Sequence, residues 1–548
     1  MVDRTGARSL IDASAALSAY LIITMTLIMY GGFERHPLVL FSALKEFGTS
    51  WPFWMQLTTA CAGMTAFLIL ILNPFRESHA YGSASFATNK MIEKWGLFAD
   101  EGIIIGVKDG RYLRFKEALS VFLFAPPDSG KTVGVIIPTL LSTSNSVIAH
   151  DPKFELFKKT APHRLNFSTV IKFAPGELES DAWNPLSQEE LPTEWDDKVV
   201  VVDRLCKSFF TSGDPEKDKS DHWVKEARSL FMFWALYLIN KNGFTSLPEV
   251  RKKNAQCRDV QEAIAEIIDH HNDYQNIEKD EISPGIKLPE RVIEEANRML
   301  SKADKEFSSV ASTFAGYMDI FGDPRISKNM DHSDFKLSDF RSECHTLYLC
   351  VRAIDQSRLR PVMSMFFEYC VLTFLDKEPE KDEQSITLLL DEFVRLGRLQ
   401  EVLQLPAISR SFRVNALFVS QSESQVSDIY GEKGLAQLID TCAYQVVFTQ
   451  NKESTAKRIS DAIGPKTRKR RSYSTQRDAL TRNMSENEEG VPLLLPQDIS
   501  SLGVGEIVIL VQKHFKNPIM AKVPFWFKDR TQKGLVNLED FESLSEFE

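Results

Sequence analysis

The chain has 548 residues, 43% of them hydrophobic and 26% charged, with a formal net charge of -10. That length suits roughly three units of about 150 residues, and that balance excludes both a disordered chain and a protein made mostly of lipid-embedded helices. A nucleic-acid binder this acidic has to concentrate its Lys and Arg locally. Seven cysteines (Cys61, Cys206, Cys257, Cys344, Cys350, Cys370, Cys442) are scattered without a CxxC pair. They read as reduced thiols rather than a disulfide framework or a zinc site.

Two uncharged runs stand near the start, residues 13–33 and 47–75. Each exceeds the ~20 residues that cross a bilayer's hydrocarbon. Trp51 and Trp54 sit at one end of the second run, where an interfacial aromatic belt belongs. The joining stretch 34–46 is short and polar, so the runs read as a transmembrane helical hairpin. A signal peptide's apolar region is shorter, about 7–15 residues, and is not followed by a second run. Arg4, Arg8, Arg76, Lys90 and Lys94 flank the hairpin; Arg35 and Lys45 lie in its loop. The positive-inside rule then puts both ends in the cytoplasm.

The strongest chemical signal is residues 120–132, SVFLFAPPDSGKT. A short apolar run enters a loop, and an apolar-periodic segment follows (Val133, Ile136, Ile137, Leu140, Leu141). The loop fits G-x-x-x-x-G-K-[ST], with Ala125 for the first Gly. Such a loop offers backbone N–H groups and a helix N-terminus to phosphate. In this reading Ser129, Gly130, Lys131 and Thr132 bind the nucleotide. Gly130 permits close approach, Lys131 reaches the β and γ phosphates, and Thr132 ligates Mg²⁺. Asp128 is an odd neighbour for polyphosphate and is expected to face solvent.

Residues 145–149 read as a strand, with Asp151 capping the next helix and Pro152 in its first position. Residues 195–325 then read almost wholly helical, in stretches 195–210, 223–239, 260–270, 290–303 and from 305 onward. Strand signal resumes at 345–351 and continues at 386–390, 414–419, 444–448, 507–511 and 519–523. Alternating apolar runs and helical patterns argue for βαβ units and a parallel sheet. Segment 386–392, ITLLLDE, supplies an apolar strand ending in acid. Asp391 would hold Mg²⁺ and Glu392 would polarise water as a general base. Arg410 and Arg413 follow, either able to act as an arginine finger on a neighbouring subunit or to form a surface ion pair. Gln421 ends the strand 414–420, placed either to sense phosphate or simply to begin a helix.

Two charged segments remain. Residues 466–471, KTRKRR, form a basic stretch that either meets phosphate backbones or is a solvated loop. Residues 538–548 carry five acids and no base and read as an exposed tail.

Taken in order, these blocks resemble the type IV secretion coupling proteins of the TraG/TraD kind, membrane-anchored ATPases of bacterial conjugation. The resemblance rests on Ser129-Gly-Lys-Thr with its helix; on 150–155, HDPKFE, against the family's N-D-P-K-G-E, from which His150 and Phe154 depart; and on Trp183-Asn-Pro-Leu186. It rests also on Trp223 with Ala227-Arg228, the acidic strand 388–393, Ser420-Gln421, Tyr430-Gly431, Ser460, Gly464, 492–496 and Gly505-Glu506. It implies an α/β fold: a RecA-like P-loop ATPase domain with an inserted all-α domain and an N-terminal two-helix transmembrane anchor. The corresponding boundaries are 1–76 for the anchor, 77–194 and 326–527 for the nucleotide domain, 195–325 for the insert and 528–548 for the tail. It further implies ATP and Mg²⁺, a homo-hexamer in the bacterial inner membrane, and DNA, single- or double-stranded, bound largely without sequence preference. Relaxosome or effector proteins and other secretion components would be its partners. In relatives an Arg and a Gln at the places of Arg410 and Gln421 act as arginine finger and phosphate sensor. Two other readings stay open on the residues: an ATP-gated receptor and adaptor that moves no DNA, and a membrane-bound kinase.

Overall fold

The computed structural model describes residues 80–211, 221–276, 287–474 and 483–536. Both apolar runs, Cys61 and the acidic tail from 538 lie outside these residues. Among the described residues no helix is long and apolar enough to cross a membrane. The chain divides into two units, Met1–Tyr81 and Gly82–Glu548, and the second is described here.

Its strands are β1 (Ile103–Lys108), β2 (Arg111–Phe115), β3 (Val121–Phe124), β4 (Ser146–Asp151), β5 (Thr169–Phe173), β6 (His345–Cys350), β7 (Ile386–Leu390), β8 (Val414–Ser420), β9 (Tyr444–Val447), β10 (Pro465–Ser474), β11 (Asn483–Pro492), β12 (Glu506–Val511) and β13 (Ile519–Lys522). Eleven of them form one sheet in the order β2-β1-β13-β12-β9-β3-β8-β7-β4-β6-β5. The run from β9 to β5 is parallel. The four strands on the β2 side pair antiparallel. The fold is therefore α/β with a mixed sheet. β3, β4, β7 and β8 are buried along their whole length, as a parallel sheet covered on both faces requires.

Alternation along these strands feeds two cores. Phe122 and Phe124 face one, with Ile148, Leu388, Leu390 and Phe418. Val121, Leu123 and Ala125 face the other, with Val147, Leu389, Leu417, Ile507 and Ile509. The first core runs without a break into the helices between β5 and β6, so sheet and helices share apolar packing. From Trp195–Phe209 to Pro324–Asn329 that stretch holds helices and no strand among the described residues. At its centre, helix His222–Asn242 is buried on nearly all sides from Ser229 to Ile239. It starts where the Asp221 carboxylate accepts the Trp223 and Val224 N–H groups, and it stops at Gly243, whose φ is +88°. Trp183 is fully buried against Phe173, Phe366 and Tyr369. Asn184 beside it donates from Nδ2 to the carbonyls of Thr245 and Asp331, at 2.7 and 3.2 Å, tying the sheet side to the helical side.

Two expectations change. The basic stretch 466–471 is not a loop but part of β10, paired antiparallel with β11. Arg468 stands opposite Glu489, Lys469 opposite Glu488 and Arg471 opposite Glu486. Such charged strands carry little β signal, and the matching acids lie some twenty positions away. Residues 529–536 fold onto the body rather than joining the tail: Tyr112 donates its hydroxyl to the Asp529 carboxylate, and Gln532 and Val536 are buried. The described cysteines are all free thiols.

Helix Gln356–Phe374 packs under the sheet and carries buried Glu368, whose Oε2 accepts the Glu401 N–H at 2.9 Å. Burial pushes this carboxyl up to about 8, against that hydrogen bond. The folded state thus keeps a proton that the unfolded chain loses near 4.5, and stability falls as pH rises between those values. Glu368→Gln retains an acceptor and removes the charge. In thermal melts the variant should match the parent below about pH 4.5 and exceed it increasingly towards about pH 8.

Candidate active site

The parallel register brings the ends of four strands to one edge. Phe124 pairs with Ser420, Leu390 with Phe418, and His150 with Leu390. The loop after β3, Gln421 after β8, Asp391 after β7 and Asp151 ending β4 therefore meet. This is the carboxyl edge at which open α/β sheets bind ligands.

The loop after β3 turns on Gly130, with φ +80°. The Ser129 hydroxyl donates to the Pro126 carbonyl at 2.7 Å and holds the loop shut. The chain then enters a π-helical turn, Thr132–Ile136, continuing as helix Ile137–Ser142. Gly134 is required there because a Cβ would lie 2.1 Å from Val523 Cγ1. Asp128 is exposed, as expected, but it also lines the cleft rather than pointing away from it.

Thr132 donates its hydroxyl to Asp391 Oδ2 at 3.0 Å. Asp391 is buried, and its Oδ1 has no hydrogen-bond partner. Burial raises its carboxyl, opposed chiefly by the charge of Lys131. Lys131 Nζ is itself buried without a hydrogen bond, 3.9 Å from Glu392 Oε1. A shielded ammonium with no acceptor is an unmet demand for an anion. A hydroxyl and an unpartnered carboxylate oxygen side by side suit a hard divalent cation such as Mg²⁺. The residues at hand thus fit a triphosphate and its metal.

Glu392 follows with φ +51°, a strained turn that swings its side chain towards the loop. Gln421 Nε2 donates to Glu392 Oε1 at 3.2 Å, so Gln421 is joined to the acid pair. Ser422, not Gln421, caps the next helix, Glu423–Thr441. A cleft of about 370 Å³ opens here, lined in part by Gly130, Lys131, Thr132, Glu392 and Gln421. Arg395, Gln356 and Lys153 also line it, and sequence reasoning did not single them out. Arg395 was findable, because three residues after Glu392 in a tight helical turn lies on the same side. Gln356 was not, because only packing brings the start of its helix to this edge.

Arg410 is elsewhere. It lies within the last turn of helix Gln400–Phe412, before β8, and pairs with Glu117 on an exposed surface. The seven residues of β8 separate it from the cleft edge, about 20 Å at strand rise. Arg413 turns to the carbonyls of Glu380 and Lys381. Neither reaches this chain's own cleft.

Asp151 does cap the next helix, though from further back than expected. The helix is Glu155–Arg164, so Pro152 is not its first residue. The Asp151 carboxylate accepts the N–H groups of Glu155 and Phe157 at 3.0 and 2.8 Å. His150 is fully buried, with Nδ1 2.6 Å from the Asp391 carbonyl. Burial lowers its pKa to about 4, so the ring is neutral. Nδ1–H is the donor, because a carbonyl can only accept. Phe154 occupies the left-handed region with φ +59°. Its ring offsets that strain by packing partly buried on the second core. Phe154→Ala loses the ring and keeps the strain, whereas Phe154→Gly loses both. The glycine variant should be the more stable of the two by about 1 kcal/mol in denaturant unfolding, reversing the usual Ala-over-Gly order.

Residues 85–545 match the family described as Type IV secretory system Conjugative DNA transfer. The chain is 28% identical over 433 residues to Protein VirD4 of Agrobacterium fabrum, covering 78% of this chain and 61% of that protein. It is 28% identical over 511 residues to Conjugal transfer protein TraG of Escherichia coli, covering 83% and 78%. Against that VirD4 the chain spans about three fifths of the relative's length. Among solved structures, the plasmid coupling protein TrwB in complex with the non-hydrolysable ATP analogue ADPNP superposes with a TM-score of 0.58 at 14% identity, over 82% of this chain and 96% of that one. TrwB has also been solved with ADP and Mg²⁺. With most of its length matched and the sheet-edge constellation in place, the chain belongs to the type IV secretory system conjugative DNA transfer family, that of the coupling proteins.

Proposed function

We propose that the chain is a membrane-anchored ATPase that recruits a DNA–protein complex or effector protein and couples it to a type IV secretion channel, driving transfer by ATP hydrolysis. The observation that carries this reading is the Thr132–Asp391 bond beside a buried, unbonded Lys131 Nζ. The loop and Lys131 bind the β and γ phosphates, and Thr132 and Asp391 hold Mg²⁺, which neutralises charge on the triphosphate. Glu392 takes the proton of the attacking water as its oxygen bonds to the γ-phosphorus and the β–γ bridging bond breaks. Gln421 orients Glu392. The ATP analogue and the ADP with Mg²⁺ held by TrwB support the choice of cofactor.

Arg410 cannot serve its own cleft and so acts, in this reading, on the nucleotide of another copy, which calls for a ring such as a hexamer. The runs 13–33 and 47–75 anchor the chain in the bacterial inner membrane, with both termini cytoplasmic. Contact with DNA falls to one face of the β10–β11 hairpin. Strand alternation places Lys466, Arg468 and Arg470 together there, opposite Val491, Glu489 and Asn487. On the other face Lys469 Nζ lies 4.0 Å from Glu488 Oε1, so that base is met by an acid.

Phosphate release by the full chain in detergent, with and without DNA, tests the reading. Lys131→Ala should abolish turnover. Glu392→Gln should still bind ATP while its kcat falls on the order of 10²-fold or more. DNA should stimulate the parent. Replacing Lys466, Arg468 and Arg470 by Ser should weaken that stimulation and flatten its dependence of log affinity on log salt by roughly 2. Lys131-dependent turnover indifferent to DNA would instead favour the receptor and adaptor reading.

A further inference from the structure

Glu392 is the proposed base, yet both of its oxygens are already engaged. Arg395 Nε meets Oε2 at 2.6 Å, and Gln421 Nε2 meets Oε1 at 3.2 Å, with Lys131 Nζ 3.9 Å from the same oxygen. To swing onto a water, this carboxylate has to break its charge-assisted contact with Arg395. Arg395 does not rest there by accident of exposure. Its Nη1 donates to Gln356 Oε1 at 2.8 Å, and Gln356 is only 4% exposed. Gln356 Nε2 is buried without a partner, so this side chain is committed to the contact at the cost of an unsatisfied donor. Gln356 also begins helix Gln356–Phe374, two residues before Arg358, which pairs with Asp323 at 2.7 Å at the edge of the helical stretch.

We propose that Arg395, braced by Gln356, is a positioning residue that latches Glu392 in the resting cleft, and that turnover requires this pair to open. The inference rests on the ATPase reading above. It places the opening step where helix Gln356–Phe374 touches both the cleft and the helical stretch, so that a shift of this helix withdraws the brace.

The test is phosphate release and fluorescent-nucleotide binding by the full chain in detergent, without DNA or partner proteins. Arg395→Met should raise kcat about tenfold, the rate equivalent of one charge-assisted hydrogen bond lost from the resting state, with nucleotide Kd unchanged. Arg395→Lys keeps a cation beside Glu392 and should stay near the parent. Gln356→Met removes the brace and should raise kcat in the same direction, which keeps the proposal testable if Arg395→Met does not fold. A damaged fold lowers turnover, so a gain separates a latch from a structural role. An unchanged or lower kcat in folded Arg395→Met overturns the latch while the Lys131→Ala control still upholds the ATPase. A parent without Lys131-dependent turnover overturns the ATPase reading itself.

Discussion

Lys131 brings an ammonium to a place where water does not reach it and no hydrogen bond meets it. Asp391 and Glu392 stand beside it, the first with a carboxylate oxygen equally unbonded. Buried charges normally come paired and fully hydrogen-bonded, because the desolvation cost is otherwise several kcal/mol per ion. Here the pairing is incomplete. The sheet edge around it follows from that constraint. Thr132 and the carbonyl of Asp391 are each spoken for, by Asp391 Oδ2 and by His150, so the acid is oriented from both its side chain and its backbone. What is left unsatisfied is what a triphosphate and a divalent cation would satisfy.

The scaffold that holds these groups is rigid for a simple reason. The strands that end in them are buried on both faces, and alternate residues enter two different cores. A one-residue slip would exchange those faces. The register between β3, β8, β7 and β4 is therefore tightly specified, and so is the alignment of Lys131, Gln421, Asp391 and Asp151. The helical stretch is no loose appendage. It shares the first core with the sheet, and Trp183, Asn184 and helix Gln356–Phe374 span the join.

Local chemistry departs from the family pattern at two points, and the structure shows how each is tolerated. His150 stands where the box it resembles has Asn and uses Nδ1–H, required because a carbonyl can only accept, to hold the Asp391 carbonyl. Phe154 stands where a Gly is usual, in a left-handed conformation, and offsets the strain with ring packing. The basic hairpin teaches a related lesson. A run of cations looks like a polyanion site until strand register shows which of them face acids and which share a face with few.

Much was legible along the chain because it depends on neighbours in sequence. Apolar strands, the phosphate-loop residues Ser129 to Thr132, the acidic strand end at Asp391 and Glu392, the helical stretch from Trp195 and the Gln421 strand tip all follow from local pattern. Helix starts were less so. Asp151 caps from four residues before its helix, because a left-handed turn at Phe154 intervenes. What only the tertiary structure decided is which distant groups share a volume. Arg410 was near the site in sequence order and is about a strand's length from it in space, at the opposite edge of the sheet. Arg395 and Gln356 were not singled out and line the cleft. Some of the bases of 466–471, Arg468 and Lys469 among them, stand opposite acids of β11, whereas Lys466 and Arg470 do not. Sequence determines what each segment can do alone, since propensity and periodicity are local. Ion pairs and cleft walls depend on packing between segments tens to hundreds of residues apart, and no local pattern encodes that.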